Sequence, residues 1–347
     1  MDAAAAAPPS LRIGVIGAEH PHLFTIVEPL LELGATTVAH SVGSGMWPDA
    51  YRGWRTDSDE RSPDGVLDDP SIDLIVTADV PSKRGPIAAE ALRRSKNVLA
   101  DKPGVTTIEH LDAVVAASTA SSARWWVLFS ERFEHPAVIE AVRMARSGEL
   151  GEIVHVTGLG PHSLGADTRP DWFWDMAATG GILVDLASHQ VDQFLAVTGA
   201  TSGSVSVVAA AAGNAAVPQH PGFEDVGHIV LACDGVVGHH RVDYLTPAGL
   251  GAWGDPRLTI VGTRATAEVR AVIDVAGTPG GEHLIVVDAE GTRRVDDLPP
   301  ARWAVDLLAD LFDDGERFMA RNHSAAVSRL TLEAQRSATV WKQAATT

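Results

Sequence analysis

The chain has 347 residues, 45% apolar and 21% charged, which excludes a disordered tail or a fibre and predicts two domains with a sizeable core. Forty-five acidic against 27 basic residues give a formal charge of −18. A surface that acidic repels phosphate backbones and anionic lipid, so nucleic acid and membranes are excluded and a small molecule is the expected partner.

The amino terminus, an alanine run closed by Pro8-Pro9, lacks the regions of a signal peptide and reads as a loose tail over 1–10. The one cysteine, Cys233, forms no internal disulfide and fits a reducing, cytoplasmic compartment. Residues 11–17 (LRIGVIG) are a β-rich run, and 22–33 carry apolar residues at helical spacing up to Gly34. Short runs at 36–39, 72–78, 97–100 and 124–130 read as further strands, with helices at 86–94 and 108–118. This alternation implies right-handed crossovers and an α/β, doubly wound parallel sheet.

An amphipathic helix at 136–147 precedes a change of pattern. Segments 152–158, 204–210, 228–233, 237–244, 257–261, 267–273 and 283–287 are strand-like, interrupted by one long helical stretch at 181–197. They predict an α+β domain with an open, largely antiparallel sheet. Helices at 301–312 and 324–344 finish the chain. The most apolar late stretch, 204–217, falls short of the ~20 residues that cross a bilayer.

Three landmarks carry chemistry. The turn Gly17-Ala18-Glu19-His20-Pro21-His22 keeps the first glycine of a G-x-G-x-x-G phosphate turn, with Glu19 and His22 in the other glycine positions. On these residues it is equally an ordinary strand-to-helix turn. Lys102, in Asp101-Lys102-Pro103-Gly104, follows a parallel strand at the end where such sheets bind ligands, unless it is simply a solvated lysine. In the stretch from Gly180-Gly181, Asp185 and His189 stand i, i+4 on one helix face. That pair suits a general base, two metal ligands or a helix-stabilising contact; no third ligand is specified, so no metal is expected.

In this order the landmarks resemble the Gfo/Idh/MocA family. Asp101-Lys102-Pro103 is similar to its Glu-Lys-Pro signature, and Gly180-Gly181 with Asp185 and His189 to its G-G-x-x-x-D-x-x-x-H signature. The resemblance implies a Rossmann domain at 11–130 carrying NAD or NADP, an α+β substrate and oligomerisation domain at 131–320, and a C-terminal helix at 321–347 packing back on the Rossmann domain. It implies hydride transfer at a hydroxyl or carbonyl carbon of a sugar, cyclitol or related polyol, by a homodimer or homotetramer joined through the second-domain sheet. By position, His189 takes the hydroxyl proton, Asp185 orients His189 or a neighbouring hydroxyl, and Lys102 steadies the oxyanion. Cofactor contacts fall on Gly17, Ala18, Glu19, His20, His22, His40, Ser41, Val80, Pro81, Ser82, Asp101, Lys102 and Arg132.

The chain also departs from the family. Glu19 puts a carboxylate near the phosphate position, while His20-Pro21-His22 matches a His-x-His variant of the turn. His40 and Ser41 stand where an acid would accept from the NAD ribose, which leans the reading to NADP, with Ser41 and Arg52 or Arg55 near its 2′-phosphate. The loop 161–175 supplies His162, Arg169, Trp172 and Trp174 for the substrate; packing at the domain junction is the other reading of the two indoles. Two other functions share these residues, an NAD-dependent glycoside hydrolase using transient oxidation and a non-catalytic dinucleotide sensor.

Overall fold

A computed structural model describes residues 10–341; residues 1–9 of the expected tail and 342–347 of the expected last helix lie outside them. The chain divides into two compact units, the first made of residues up to Asp101 with Ala113–Trp126 and Ala304–Arg321, the second of Lys102–Asp112, Val127–Trp303 and the chain from Asn322.

In chain order the first unit is built from β1 (Arg12–Ala18), α1 (His22–Glu32), β2 (Thr36–Ser41), α2 (Met46–Trp54), β3 (Asp59–Glu60), α3 (Pro63–Leu67), β4 (Leu74–Ala78), α4 (Pro81–Arg93), β5 (Asn97–Asp101), α5 (Ile108–Ala120) from Ala113 on, and β6 (Trp125–Leu128) up to Trp126. All five residues of β4 are buried, as expected of a strand covered on both faces. The six-stranded sheet runs β3-β2-β1-β4-β5-β6, and β1 pairs in parallel with both β2 and β4. Chain order therefore reverses between β1 and β4. In open α/β sheets ligands bind at the carboxyl ends of the strands beside such a reversal, and here those ends carry Gly17 and Asp79. Arg124 ties the late segment to this unit by donating to the Met319 carbonyl at 3.2 Å.

The second unit contains α6 (Ser130–Phe133), α7 (Pro136–Arg146), β7 (Ile153–Pro161), α8 (Met176–Thr179), α9 (Ile182–Asp185), α10 (Ala187–Thr198), β8 (Ser206–Gly213), β9 (Val226–Cys233), β10 (Val236–Asp243), β11 (Arg257–Gly262), β12 (Thr266–Arg270), β13 (His283–Asp288) and β14 (Gly291–Val295). The first unit's α11 (Trp303–Asp313) follows, then α12 (His323–Ser337) and β15 (Thr339–Trp341) of the second. The nine-stranded sheet runs β14-β13-β12-β11-β7-β10-β9-β8-β15. It is mostly antiparallel, with β10 on β7 and β15 on β8 as parallel pairs. One expectation is corrected here: the last helix stops at Ser337, and the chain turns into β15 at the sheet edge.

Strand residues alternate between a helix-covered face and an open one. Gly238, His240 and Val242 of β10 are buried, while Val237, His239 and Arg241 are exposed. Two glycines of β7 let α10 approach: a Cβ on Gly160 would lie 2.7 Å from Gln190 Nε2, and one on Gly158 would lie 2.9 Å from Gln190 Cγ. The predicted helix at 181–197 is broken at Leu186 between α9 and α10, which leaves Asp185 on one side and His189 on the other.

Candidate active site

In the first unit Gly17 has φ +80°, and a Cβ there would lie 2.2 Å from the Asp79 Cβ, so the turn after β1 needs this glycine. Ala18 is fully buried. The Glu19 amide donates to the Ala78 carbonyl at 2.9 Å. Its carboxyl is pushed above the usual range by burial and by Asp79, against the pull of Lys83. Oε1 of Glu19 faces the loop after β2, where a Cβ on Gly43 would lie 3.2 Å away.

His20 and His22 converge on Asp101 at the end of β5. His22 Nδ1 lies 2.9 Å from Oδ1, His20 Nδ1 3.3 Å from Oδ2, and the buried Arg84 guanidinium 3.1 Å from Oδ2. Burial opposes charge on Asp101, but Arg84, His22 and His20 hold its carboxyl well below the usual range. His20, His22 and Asp101 have ligand atoms within 4.8 Å of one another, so they could hold a metal ion. A cation there has to compete with Arg84 for the carboxylate. The first amides of α1 are used locally: Leu23 donates to the His20 carbonyl, Phe24 to that of Pro21, and His22 to His20 Nδ1. The amides of His22, Leu23 and Phe24 are therefore already paired within the start of the helix.

Of the other cofactor candidates, the Val80 amide donates to Asp79 Oδ1 at 2.6 Å, and Pro81 and Ser82 open α4. His40 is buried, with Nδ1 3.1 Å from Ser58 Oγ, and burial lowers its pKa. Ser41 ends β2 opposite Ile16. Arg52 is engaged by Glu60, Asp49 and the Val42 and Gly43 carbonyls, and Arg55 by Thr37 and Asp57.

In the second unit Lys102 Nζ donates to Asp185 Oδ1 at 2.8 Å, and the Tyr244 hydroxyl donates to Oδ2 at 2.6 Å. Burial and the Asp185 charge hold the Tyr244 phenol well above its ordinary pKa, so it remains a donor. Residues 83 and 59 positions away thus meet on one carboxylate. Tyr244 is absent from the sequence-derived set; one of the chain's two tyrosines, it stands just past β10 and carries no motif.

The first turn of α9 is fixed by two side chains. The Ile182 amide donates to Glu224 Oε2 and the Leu183 amide to Gln335 Oε1, both at 3.0 Å, and Gln335 Nε2 donates to Glu224. His189 is buried, with Nε2 4.0 Å from Glu131 Oε1. Arg132 forms two 2.7 Å bonds to the buried Asp192, which His323 also contacts.

The loop before α8 builds an aromatic cluster. The Arg169 guanidinium lies over Phe173 at 4.2 Å and faces Tyr244 at 5.6 Å. Trp174 stacks on His220 at 4.0 Å, and Trp172 has its indole nitrogen buried. His162 packs against Trp253 at 4.7 Å. A small cavity between Phe173, Met176, Ile182, Phe223 and Tyr244 includes Asp185 in its lining. Aromatic faces with a hydrogen-bonding carboxylate can receive the C–H and O–H groups of a polyol.

Comparison with known proteins gives a consistent picture. Residues 12–129 match the oxidoreductase family with an NAD-binding Rossmann fold, and residues 138–268 match the GFO/IDH/MocA C-terminal domain. A crystal structure from Erwinia carotovora atroseptica SCRI1043, assigned as an oxidoreductase, is 31% identical with a TM-score of 0.91, covering 96% of this chain and 100% of that one. The scyllo-inositol 2-dehydrogenase (NAD(+)) of Bacillus subtilis is 25% identical over 74% of this chain and 67% of its own length. The D-xylose dehydrogenase of Paenarthrobacter nicotinovorans is 23% identical over 39% of this chain and 35% of its own.

Proposed function

The chain belongs to the Gfo/Idh/MocA family of oxidoreductases, and from that premise we propose that it oxidises a secondary hydroxyl of a cyclitol, sugar or related polyol, or reduces the matching carbonyl. The observation that carries this reading is the Asp185 carboxylate, held between Lys102 and Tyr244 in a pocket of aromatic side chains. The inositol and xylose dehydrogenases among its relatives support the same substrate class.

A bound nicotinamide dinucleotide supplies the hydride acceptor. The positive-φ Gly17 and the His22 and Arg84 donors ordered on Asp101 fit such a group, and the His20 and His22 imidazoles would hold its phosphate in place of the missing glycine amides. Between the two dinucleotides we favour NAD, against the lean drawn from His40 and Ser41. Glu19 brings to the loop after β2 the carboxylate that the sequence lacks there, and Arg52 and Arg55 are already committed to acids. A carboxylate at that place accepts from a ribose hydroxyl and repels a 2′-phosphate.

In the catalytic step His189 receives the hydroxyl proton, Lys102 donates to the developing oxyanion, and Asp185 directs the Lys102 side chain. His162, Arg169, Trp172 and Trp174 shape the substrate pocket. The open face of the nine-stranded sheet joins copies of the chain into a dimer or tetramer. Calorimetric titration with NADH and NADPH tests the cofactor: NADH binding at least about tenfold tighter is expected, and absence of binding by either nucleotide contradicts the reading.

A further inference from the structure

Glu131 is the buried acid that this mechanism leaves unused. It sits in α6, 3% exposed, one residue before Arg132. Its Oε2 accepts from Gln190 Nε2 at 2.9 Å. Its Oε1 has no hydrogen-bond partner among the described residues, yet lies 3.6 Å from His162 Nε2 and 4.0 Å from His189 Nε2.

His162 fixes where protons sit. Its Nδ1 lies 3.2 Å from the Gly160 carbonyl, which can only accept, so Nδ1 carries the hydrogen and Nε2 presents a lone pair. That lone pair faces Glu131 Oε1. Two acceptors directed at each other are unfavourable unless one carries a proton, and burial keeps His162 neutral by lowering its pKa to about 3. A proton arriving at Glu131 Oε1 is therefore held there by the His162 lone pair, whereas the ionised carboxylate is left without a donor at that oxygen. His189 faces the same oxygen from α10.

We propose that Glu131 is the second proton carrier of the site: it accepts from His189 the proton displaced when His189 takes one from the substrate hydroxyl. The inference rests on the reading that His189 is the primary base. In the oxidation direction the hydroxyl proton passes to a ring nitrogen of His189, and the proton on Nε2 passes to Glu131 Oε1. The carbon-bound hydrogen leaves with its electron pair for an oxidised nicotinamide. Carbonyl, reduced nicotinamide, neutral His189 and neutral Glu131 result, and Glu131 later releases its proton to solvent. The 4.0 Å separation lies beyond hydrogen-bond length, and such contacts commonly tighten when substrate binds.

The surroundings suit the role. Burial raises the Glu131 carboxyl to about 7, opposed by His135, by Lys102 and by the Gln190 hydrogen bond, and assisted by Asp192. With His162 held neutral, Glu131 faces His189 as a group that changes charge near neutrality. A carboxyl that only tied down Gln190 would not move a pH profile, which separates the two roles.

The test is the pH dependence of kcat for polyol oxidation by the nicotinamide-loaded enzyme, with infrared titration of the unliganded protein. The wild type should gain rate through an inflection near pH 7, with a protonated-carboxyl band titrating over the same range. Glu131→Gln should lose the inflection and the band, with kcat at pH 8 down about tenfold or more and KM within about twofold. An unchanged inflection in Glu131→Gln, or no such band in the wild type, overturns the proposal. Should that variant fail to fold, Gln190→Met removes a hydrogen bond that favours the charged form, so the inflection should move to higher pH; an unmoved inflection is equally fatal. Full turnover in His189→Ala would sink the primary-base reading, and with it this relay. An inactive His189→Ala beside a normal Glu131→Gln profile would sink the relay alone.

Discussion

Asp185 accepts from Lys102 and from Tyr244, so its two oxygens are both fixed by donors from distant parts of the chain. A hydrogen bond to a charged group contributes about 1.5–3 kcal/mol. Tyr244→Phe removes one of the two, and kcat is expected to fall about tenfold or more, with the far-ultraviolet circular dichroism unchanged. Glu131 makes a prediction about stability that is independent of turnover. Its folded pKa, about 7, lies above the ordinary glutamate value of 4.5. Its contribution to stability is therefore fully present below the unfolded value and lost as pH rises through the folded one. The loss is on the order of 3 kcal/mol. The melting temperature of the wild type should fall between pH 5 and 8 relative to that of Glu131→Gln, and parallel curves for the two proteins would show that Glu131 is ionised at both ends of that range.

At the scale of elements, the entrance to α9 depends on long-range partners. Gly181 has φ +88°, and a Cβ there would lie 2.5–2.7 Å from the Gln335 side-chain amide. Gln335 also accepts the Leu183 amide and donates to Glu224. Gly181→Ala should therefore cost about 1–3 kcal/mol in chemical denaturation and lower kcat as well, because Asp185 ends the same short helix. The apolar runs of β1 and β4, and the ordered landmarks around Lys102 and His189, were legible in the sequence because local spacing carries them. β14 was not: most of its residues are exposed and polar, so no apolar pattern marks it. β15 was hidden because helical spacing continues past Ser337, and only pairing with β8 stops it. The meeting of Lys102, Asp185 and Tyr244 follows from folding over long separations, which no local pattern encodes. Glu19 was legible as an anomaly, but its direction toward the loop after β2 required the structure.

At the scale of the whole molecule, the charge of −18 requires that an anionic cofactor find local compensation. Arg84, His20 and His22 gathered on Asp101 provide cationic and titratable groups where β1, β4 and β5 end. The second unit's sheet raises a different question, because its open face carries Val237 and His239 beside His155 and Thr157. If copies of the chain join there, light scattering after size exclusion should report a dimer or tetramer, and Val237→Glu should shift it toward monomer. A wild-type monomer at micromolar concentration would remove that assignment and leave the catalytic one intact. The central claim is hydride transfer from a polyol carbon through a site organised on Asp185. It is tested most directly by following nicotinamide absorbance with a panel of inositols, aldoses and related polyols, for the wild type and Asp185→Asn in parallel. The expected result is reduction with at least one substrate and a loss of about 10²-fold or more in the variant. No reduction of bound nicotinamide by any member of the panel, or equal rates in the two proteins, would contradict it.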